Sequence, residues 1–260
     1  SWDELFGAPP LDPALSGLAP PANPPFVDAD NCQVFEPGYY STAPVLTSNN
    51  YFKSGVYHFD NIGPMVFDKQ IATFGNATIQ GFPLVGNAPC DNARVADATT
   101  GATVYVSGNT YFDMDKSDTG FEVAGRMQGN SLVAVHVLNT SLDADTSGLF
   151  TSGNGAKREI SLNGFLWAPD SALIFGTIPT KKAAALRGGA VIARLQGKVS
   201  ASASGFIISV PTAAGTTQLQ LESTATNDDG ATTVRVIADY RAGTGEVAVL
   251  SSRVCAPSGC

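Results

Sequence analysis

Between Asn163 and Pro211 the apolar residues come in short bursts rather than long runs. Gly164–Ala168 and Ala172–Gly176 flank Pro169-Asp170, a pair that predicts a turn between two short strands. Gly188–Leu195 and Val199–Ile208 repeat the plan, with Gly188 standing 24 residues after Gly164 (188 − 164). That spacing is the size of one coil of a solenoid. Lys198-Val199-Ser200-Ala201-Ser202-Ala203 alternates with a period of two, which sends one set of side chains inward and the other to solvent. Small inward residues suit a narrow interior where coils stack directly. The expected fold class is all-β: a right-handed parallel β-solenoid (β-helix) with a C-terminal antiparallel meander.

The rest of the chain reads the same way. Residues 1–31 carry Pro9-Pro10, Pro20-Pro21 and Pro24-Pro25, which forbids a long helix or central strand and predicts an arm, linker or stalk. The solenoid body is expected over 32–211. It starts with Gln33-Val34-Phe35, Tyr39-Tyr40, Tyr51-Phe52 and Val56–Asp60, and continues with Met65–Phe67, Ile71–Phe74 and Ala77–Gly81. Gly86–Gly101 reads as a polar loop. Gly101–Tyr105, Thr110–Met114, Phe121–Val123 and Ser131–Leu138 read as further strands, followed by an insertion-like loop, Asn139–Lys157. Lys181–Arg187 has the composition of a short helix. Over 212–260, Thr217–Ala225, Thr232–Tyr240 and Glu246–Val254 alternate over longer stretches and predict the meander, packed on the same domain.

Composition narrows the function classes. In 260 residues there are 27 glycines, 16 prolines and 15% charged residues, a turn-rich chain poor in amphipathic helix. The net charge of −8 and the lack of any basic cluster beyond Lys157-Arg158 and Lys181-Lys182 argue against a nucleic-acid partner. Cys32, Cys90, Cys255 and Cys260 are even in number and lie near turn residues, as in an exported, disulfide-bonded protein. The preferred pairing is Cys32–Cys90 with Cys255–Cys260. Zinc is the competing use, but there is no C-x2-C spacing and no histidine near a cysteine. No apolar run spans a bilayer. A chain opening on Ser1 rather than Met reads as mature or truncated, which leaves open an anchor helix, a cleavable signal or neither before it. The expected location is extracellular or at the cell surface.

Cys32-Gln33-Val34-Phe35-Glu36-Pro37-Gly38-Tyr39 followed by Phe52-Lys53-Ser54-Gly55-Val56-Tyr57-His58-Phe59 resembles segments of exported actinobacterial surface proteins, although His58 stands where an aromatic is common. Asn163–Ala172 followed by Gly188–Ala193 is similar to coils of pilus-assembly-associated and bactofilin-like β-helix domains. The resemblance covers roughly residues 32–210. It implies a β-helix carried behind a pilus-related N-terminal membrane helix, and it brings no catalytic residues.

Three groups of residues invite chemistry. Asp143, Asp145 and Ser147, with Gly148, match the first half of a calcium loop, making calcium the one cofactor candidate. Asn154 stands where the bidentate Glu belongs, and a surface turn uses the same residues. Asp113, Asp115 and Asp118 form an acidic cluster suited to glycan cleavage or to a solvated loop. Tyr39, Tyr40, Tyr51 and Tyr57 are dense enough to make a stacking surface for sugars or proteins, or a packed end of the body. His58 and His136 have no nucleophile signature beside them, and no catalytic motif is present. Asn76-Ala77-Thr78 and Asn139-Thr140-Ser141 are glycosylation sequons.

The expected function is a non-enzymatic structural or adhesive surface protein, pilus-associated or self-assembling into filaments. Its partners would be proteins, further copies of itself, cell-surface components or glycans. A polysaccharide-active enzyme and an ice- or surface-binding solenoid are the alternatives.

Overall fold

The computed structural model describes residues 8–76, 90–99, 101–114, 119–129, 131–143, 148–152, 159–178, 184–199, 206–209, 216–227, 230–241 and 246–255. The chain divides into two compact units, Ser1–Ser209 and Val210–Cys260.

In chain order the first unit opens with β1 (Phe26–Val27), β2 (Gln33–Phe35) and β3 (Gly38–Tyr40). Next come β4 (Asn49–Phe52), β5 (Gly55–Asp60), β6 (Pro64–Val66) and β7 (Ile71–Phe74), then a short helix, α1 (Asp91–Ala96). The middle holds β8 (Ala102–Ser107), β9 (Tyr111–Asp113), β10 (Gly120–Ala124), β11 (Arg126–Gln128) and β12 (Ser131–Val137). The unit closes with β13 (Gly148–Ser152), β14 (Glu159–Asn163), β15 (Phe165–Ile178), β16 (Ala184–Arg187), β17 (Ala190–Val199) and β18 (Phe206–Ser209). These make two sheets. One runs β1-β2-β4-β7-β10-β14-β16-β18, and the other runs β3-β5-β8-β12-β15-β13-β9-β6. In the second unit β19 (Thr216–Asn227), β20 (Gly230–Arg241) and β21 (Glu246–Cys255) form an antiparallel sheet.

The expected right-handed β-solenoid is corrected by this topology. The chain is mostly β, with parallel sheets of a half-barrel type. The first sheet is mixed, because β1 runs antiparallel to β2. The second carries an antiparallel β11 on β12 and branches at β15, which pairs with β12, β13 and β17. A regular solenoid needs a near-constant repeat, and this chain has none. Gln33 pairs with Asn50, Asn49 with Ile71, Ile71 with Gly120, Gly120 with Glu159, Ile160 with Ala184 and Ala184 with Phe206, steps of 17, 22, 49, 39, 24 and 22 residues by subtraction. The 24-residue spacing is real but local, joining Leu166 to Ala190 and Ile160 to Ala184.

Three local expectations also change. Pro169-Asp170 is no turn; β15 runs through it, and the misfit appears as a register shift between Ala168 and Ala172. Ala184–Arg187 is strand rather than helix, because β14 and β18 supply a ladder on both sides. The loop around Cys90 contains α1. The strand expected at Ala77–Gly81 lies outside the described residues.

The core lies between the two sheets and is aromatic. Phe35, Phe52 and Phe74 occupy one register on β2, β4 and β7, and their rings stack at 4.3 and 4.1 Å. Phe112 and Phe150 stack at 5.0 Å, with Phe121 against both. Parallel in-register pairing brings like side chains within stacking distance across about 4.8 Å.

At one corner, where strands of the first sheet pass to the second, Gly101, Gly125, Gly164 and Gly188 are stacked. A Cβ on Gly188 would lie 2.4 Å from the Gly164 carbonyl carbon, and one on Gly101 would lie 2.2 Å from the Gly125 oxygen. Only glycine lets these backbones approach so closely.

Candidate functional site

The second sheet presents an unusual row on the face turned away from the core. Tyr39, His58, Tyr105, His136 and Trp167 are register partners on β3, β5, β8, β12 and β15. Their neighbours in sequence, Phe59, Val104, Val106, Val135, Val137, Leu166 and Ala168, fill the core, as strand alternation requires. Ring centroids are 5.4 Å apart for Tyr39 and His58, 5.4 Å for Tyr105 and His136, and 6.4 Å for His136 and Trp167.

The row has an open end and a covered end. Tyr39 and His58 are half-buried, whereas Tyr105, His136 and Trp167 are 0%, 4% and 3% exposed. The proline-rich arm lies over Tyr105. Asp12 caps a single 3-10 turn, Pro13–Leu15, accepting from the Ala14 N–H at 2.9 Å, with proline at the first helical position where no N–H is needed. The Asp12 N–H then donates to the Tyr105 hydroxyl at 2.8 Å, and its carboxylate accepts from Arg126 Nε at 3.0 Å. Further along, the Ala19 carbonyl accepts from the Tyr39 N–H at 2.8 Å. Beside Tyr105, Gln128 Nε2 donates to Thr103 Oγ1 at 2.9 Å.

At the open end the Asp60 carboxylate is clamped. It accepts from Ser107 Oγ and, at 2.7 Å, from the Tyr39 hydroxyl; these two bonds hold its pKa below the ordinary carboxylate range. His58 Nε2 lies 2.8 Å from Ser107 Oγ. Burial lowers the His58 pKa, opposed by the Asp60 charge. The chain of bonds runs from imidazole N–H to hydroxyl to carboxylate. The Ser107 proton thus points at Asp60, and Ser107 is only 4% exposed. This geometry fixes β3, β5 and β8 together and leaves a half-open ring beside a carboxylate. It does not make Ser107 a nucleophile.

A second polar hub sits over the first sheet. Cys32 and Cys90 are disulfide-bonded and pack with Val34 and Tyr51. The Asp97 carboxylate accepts from the Tyr51 hydroxyl at 2.8 Å and from the Ser54 N–H at 2.6 Å. Burial pushes the Asp97 pKa up, but these bonds and those from Thr99 bring it below its ordinary value. Burial together with the Asp97 bond raises the Tyr51 pKa.

The sequence-based candidates fare unevenly. Tyr51 and Tyr57 are fully buried and present no ring to solvent, so of the four tyrosines only half-buried Tyr39 and Tyr40 reach the surface. Asp143 is exposed; Asp145 and Ser147, the other two residues of the candidate calcium loop, lie outside the described residues. Asp113 is half-buried at the end of β9, and Asp115 and Asp118 lie outside the described residues. Among the described residues no three His, Cys, Asp or Glu side chains group as a metal site. Cys255 ends β21, and Cys260 lies outside the described residues. Asp12, Tyr105, Ser107, Asp97 and Gln128 were not apparent as site residues. Only Asp12-Pro13 carried a local signal, that of a capped turn.

No protein family, curated protein or solved structure matches the chain. Among the described residues, no helix is long and apolar enough to cross a membrane.

Proposed function

We propose that this chain is a non-enzymatic structural or adhesive protein of the cell exterior, a rigid subunit that displays a surface rather than turning over a substrate. The observation that supports this best is the in-register aromatic stack Phe35–Phe52–Phe74 running through parallel sheets. It gives a body whose stiffness is built across strands. The Cys32–Cys90 bond fits an oxidising compartment. The half-open Tyr39–His58–Asp60 end of the outer row supplies a ring face and a carboxylate, the groups that contact sugars and polar protein surfaces. Assembly through the proline-rich arm or a sheet edge would make it a filament or pilus-associated subunit.

Electron microscopy of the purified protein at high concentration, with binding assays on immobilised glycans and cell-surface proteins, tests the reading. Filaments or saturable adhesion are expected. Monomers that adhere to nothing would overturn it, and so would turnover of any member of a glycan panel.

A further inference from the structure

The covered end of the outer row holds an arrangement that simple hydrogen bonding leaves unexplained. Thr103 on β8 is 0% exposed and Gln128 on β11 is 3% exposed, and their side chains meet at 2.9 Å between Oγ1 and Nε2. Thr103 Oγ1 donates its own proton to the Val133 carbonyl at 3.1 Å, so its lone pairs face the Gln128 amide. Gln128 Oε1 is buried with no partner, as is Nδ1 of His136 on the adjacent strand β12. The Tyr105 ring lies 5.4 Å from that of His136. A hydroxyl and a carboxamide thus meet in a buried site, with the phenol of Tyr105 two residues along β8 from Thr103.

We infer that Thr103 and Gln128 form an intramolecular ester cross-link. Thr103 Oγ1 adds to the Gln128 side-chain carbonyl carbon, and the Oγ1–Cδ bond forms. The Cδ–Nε2 bond breaks, the Thr103 proton passes to the departing nitrogen, and one ammonia leaves. No oxidant, metal or cofactor enters the balance. Amide to ester is uphill between free molecules. Here the amide nitrogen and the hydroxyl are held in contact, and effective molarities of well-oriented pairs reach about 10^5–10^8 M. Ammonia then escapes and is protonated in water, which draws the reaction forward. The proton has a direct path, since Thr103 Oγ1 and Gln128 Nε2 are already in hydrogen-bond contact at 2.9 Å. Burial also protects the product, since water is kept from the ester. An ester carbonyl is a weaker acceptor than an amide carbonyl, so burying it without a partner costs less.

The link would tie β11 to β8 across 25 residues. Because β11 carries Arg126, the partner of Asp12, it would also fix the place where the arm rests. The inference is independent of the adhesive reading, because the cross-link is read by mass alone.

The test is mass spectrometry of the full chain, reduced and denatured after incubation in the folded state at neutral pH. The expected wild-type mass is lower than the sequence mass by one ammonia, with peptide mapping joining the segments that contain residues 103 and 128. Thr103→Ser keeps the hydroxyl and retains the deficit; Thr103→Val, similar in shape, restores the full mass. A full-mass wild-type protein overturns the inference. So does a deficit that maps to an asparagine succinimide or persists in Thr103→Val.

Discussion

The backbone N–H of Asp12 donates to the hydroxyl of Tyr105 at 2.8 Å, joining a proline-rich arm to a strand 93 residues away. Asp12 is buried although it is an acid, and its carboxylate serves both the Ala14 N–H and Arg126. The arm is therefore fastened at Asp12 by several bonds, and again at Ala19 by the Tyr39 N–H. Asp12→Ala is expected to remove the cap and the ion pair together, costing about 1–3 kcal/mol. The expected sign is faster proteolysis within the arm with the body intact. An unchanged cleavage rate would mean that Asp12 does not hold it.

The Cys32–Cys90 bond closes a segment with a sequence separation of 58. On the chain-entropy account, a loop of that size stabilises the fold by about 4 kcal/mol. Cys32→Ala with Cys90→Ala should lower the denaturation midpoint accordingly. An unshifted urea midpoint would show that the segment is held by other contacts, such as those of Tyr51 and Asp97.

Phe52 stacks between Phe35 and Phe74 and is fully buried. Phe52→Ala should cost about 3–5 kcal/mol, because the neighbours cannot collapse into the space without leaving their own register. Phe52→Leu should recover part of that loss. Equal stability of the two variants in chemical denaturation would contradict a stacked spine.

His136 is 4% exposed, and burial lowers its pKa from the ordinary 6.5 to about 4. Between those values the unfolded chain takes up a proton that the folded chain refuses. Stability therefore falls as the pH drops from 6.5 towards 4, by up to about 3 kcal/mol from this group. The depressed carboxylates of Asp60 and Asp97 add losses in the same direction at lower pH. His136→Phe should flatten the part of the pH–stability curve between pH 6.5 and 4. A variant curve parallel to wild type would refute the assignment.

Gly188 has a φ of 139° and lies against Gly164. Gly188→Ala forces both a strained backbone and a clash with main-chain atoms, and it should cost at least about 1–3 kcal/mol. Thermal unfolding of the variant reads this directly; wild-type stability would show that the corner can open.

Much of the strand content was legible in the chain itself. Ile71–Phe74 and Glu246–Val254 stand out because their apolar pattern and flanking turn residues are local, and they lie in observed strands. The Gly164–Gly188 spacing foretold the pairing of Leu166 with Ala190. Where the reading failed, a neighbour overrode a local preference. Ala184–Arg187 has helical composition yet is strand between β14 and β18. Pro169-Asp170 looks like a turn yet is absorbed as an irregularity in a strand paired on both sides.

By itself, the sequence determined that this is a β-rich, turn-rich and acidic chain, because propensity, charge and alternation act over a few residues. The arrangement of those strands as two mixed sheets with unequal connections was decided only in three dimensions. The same holds for the outer row of Tyr39, His58, Tyr105, His136 and Trp167. Its members are 19 to 47 residues apart in sequence, and only the register of parallel strands brings them side by side.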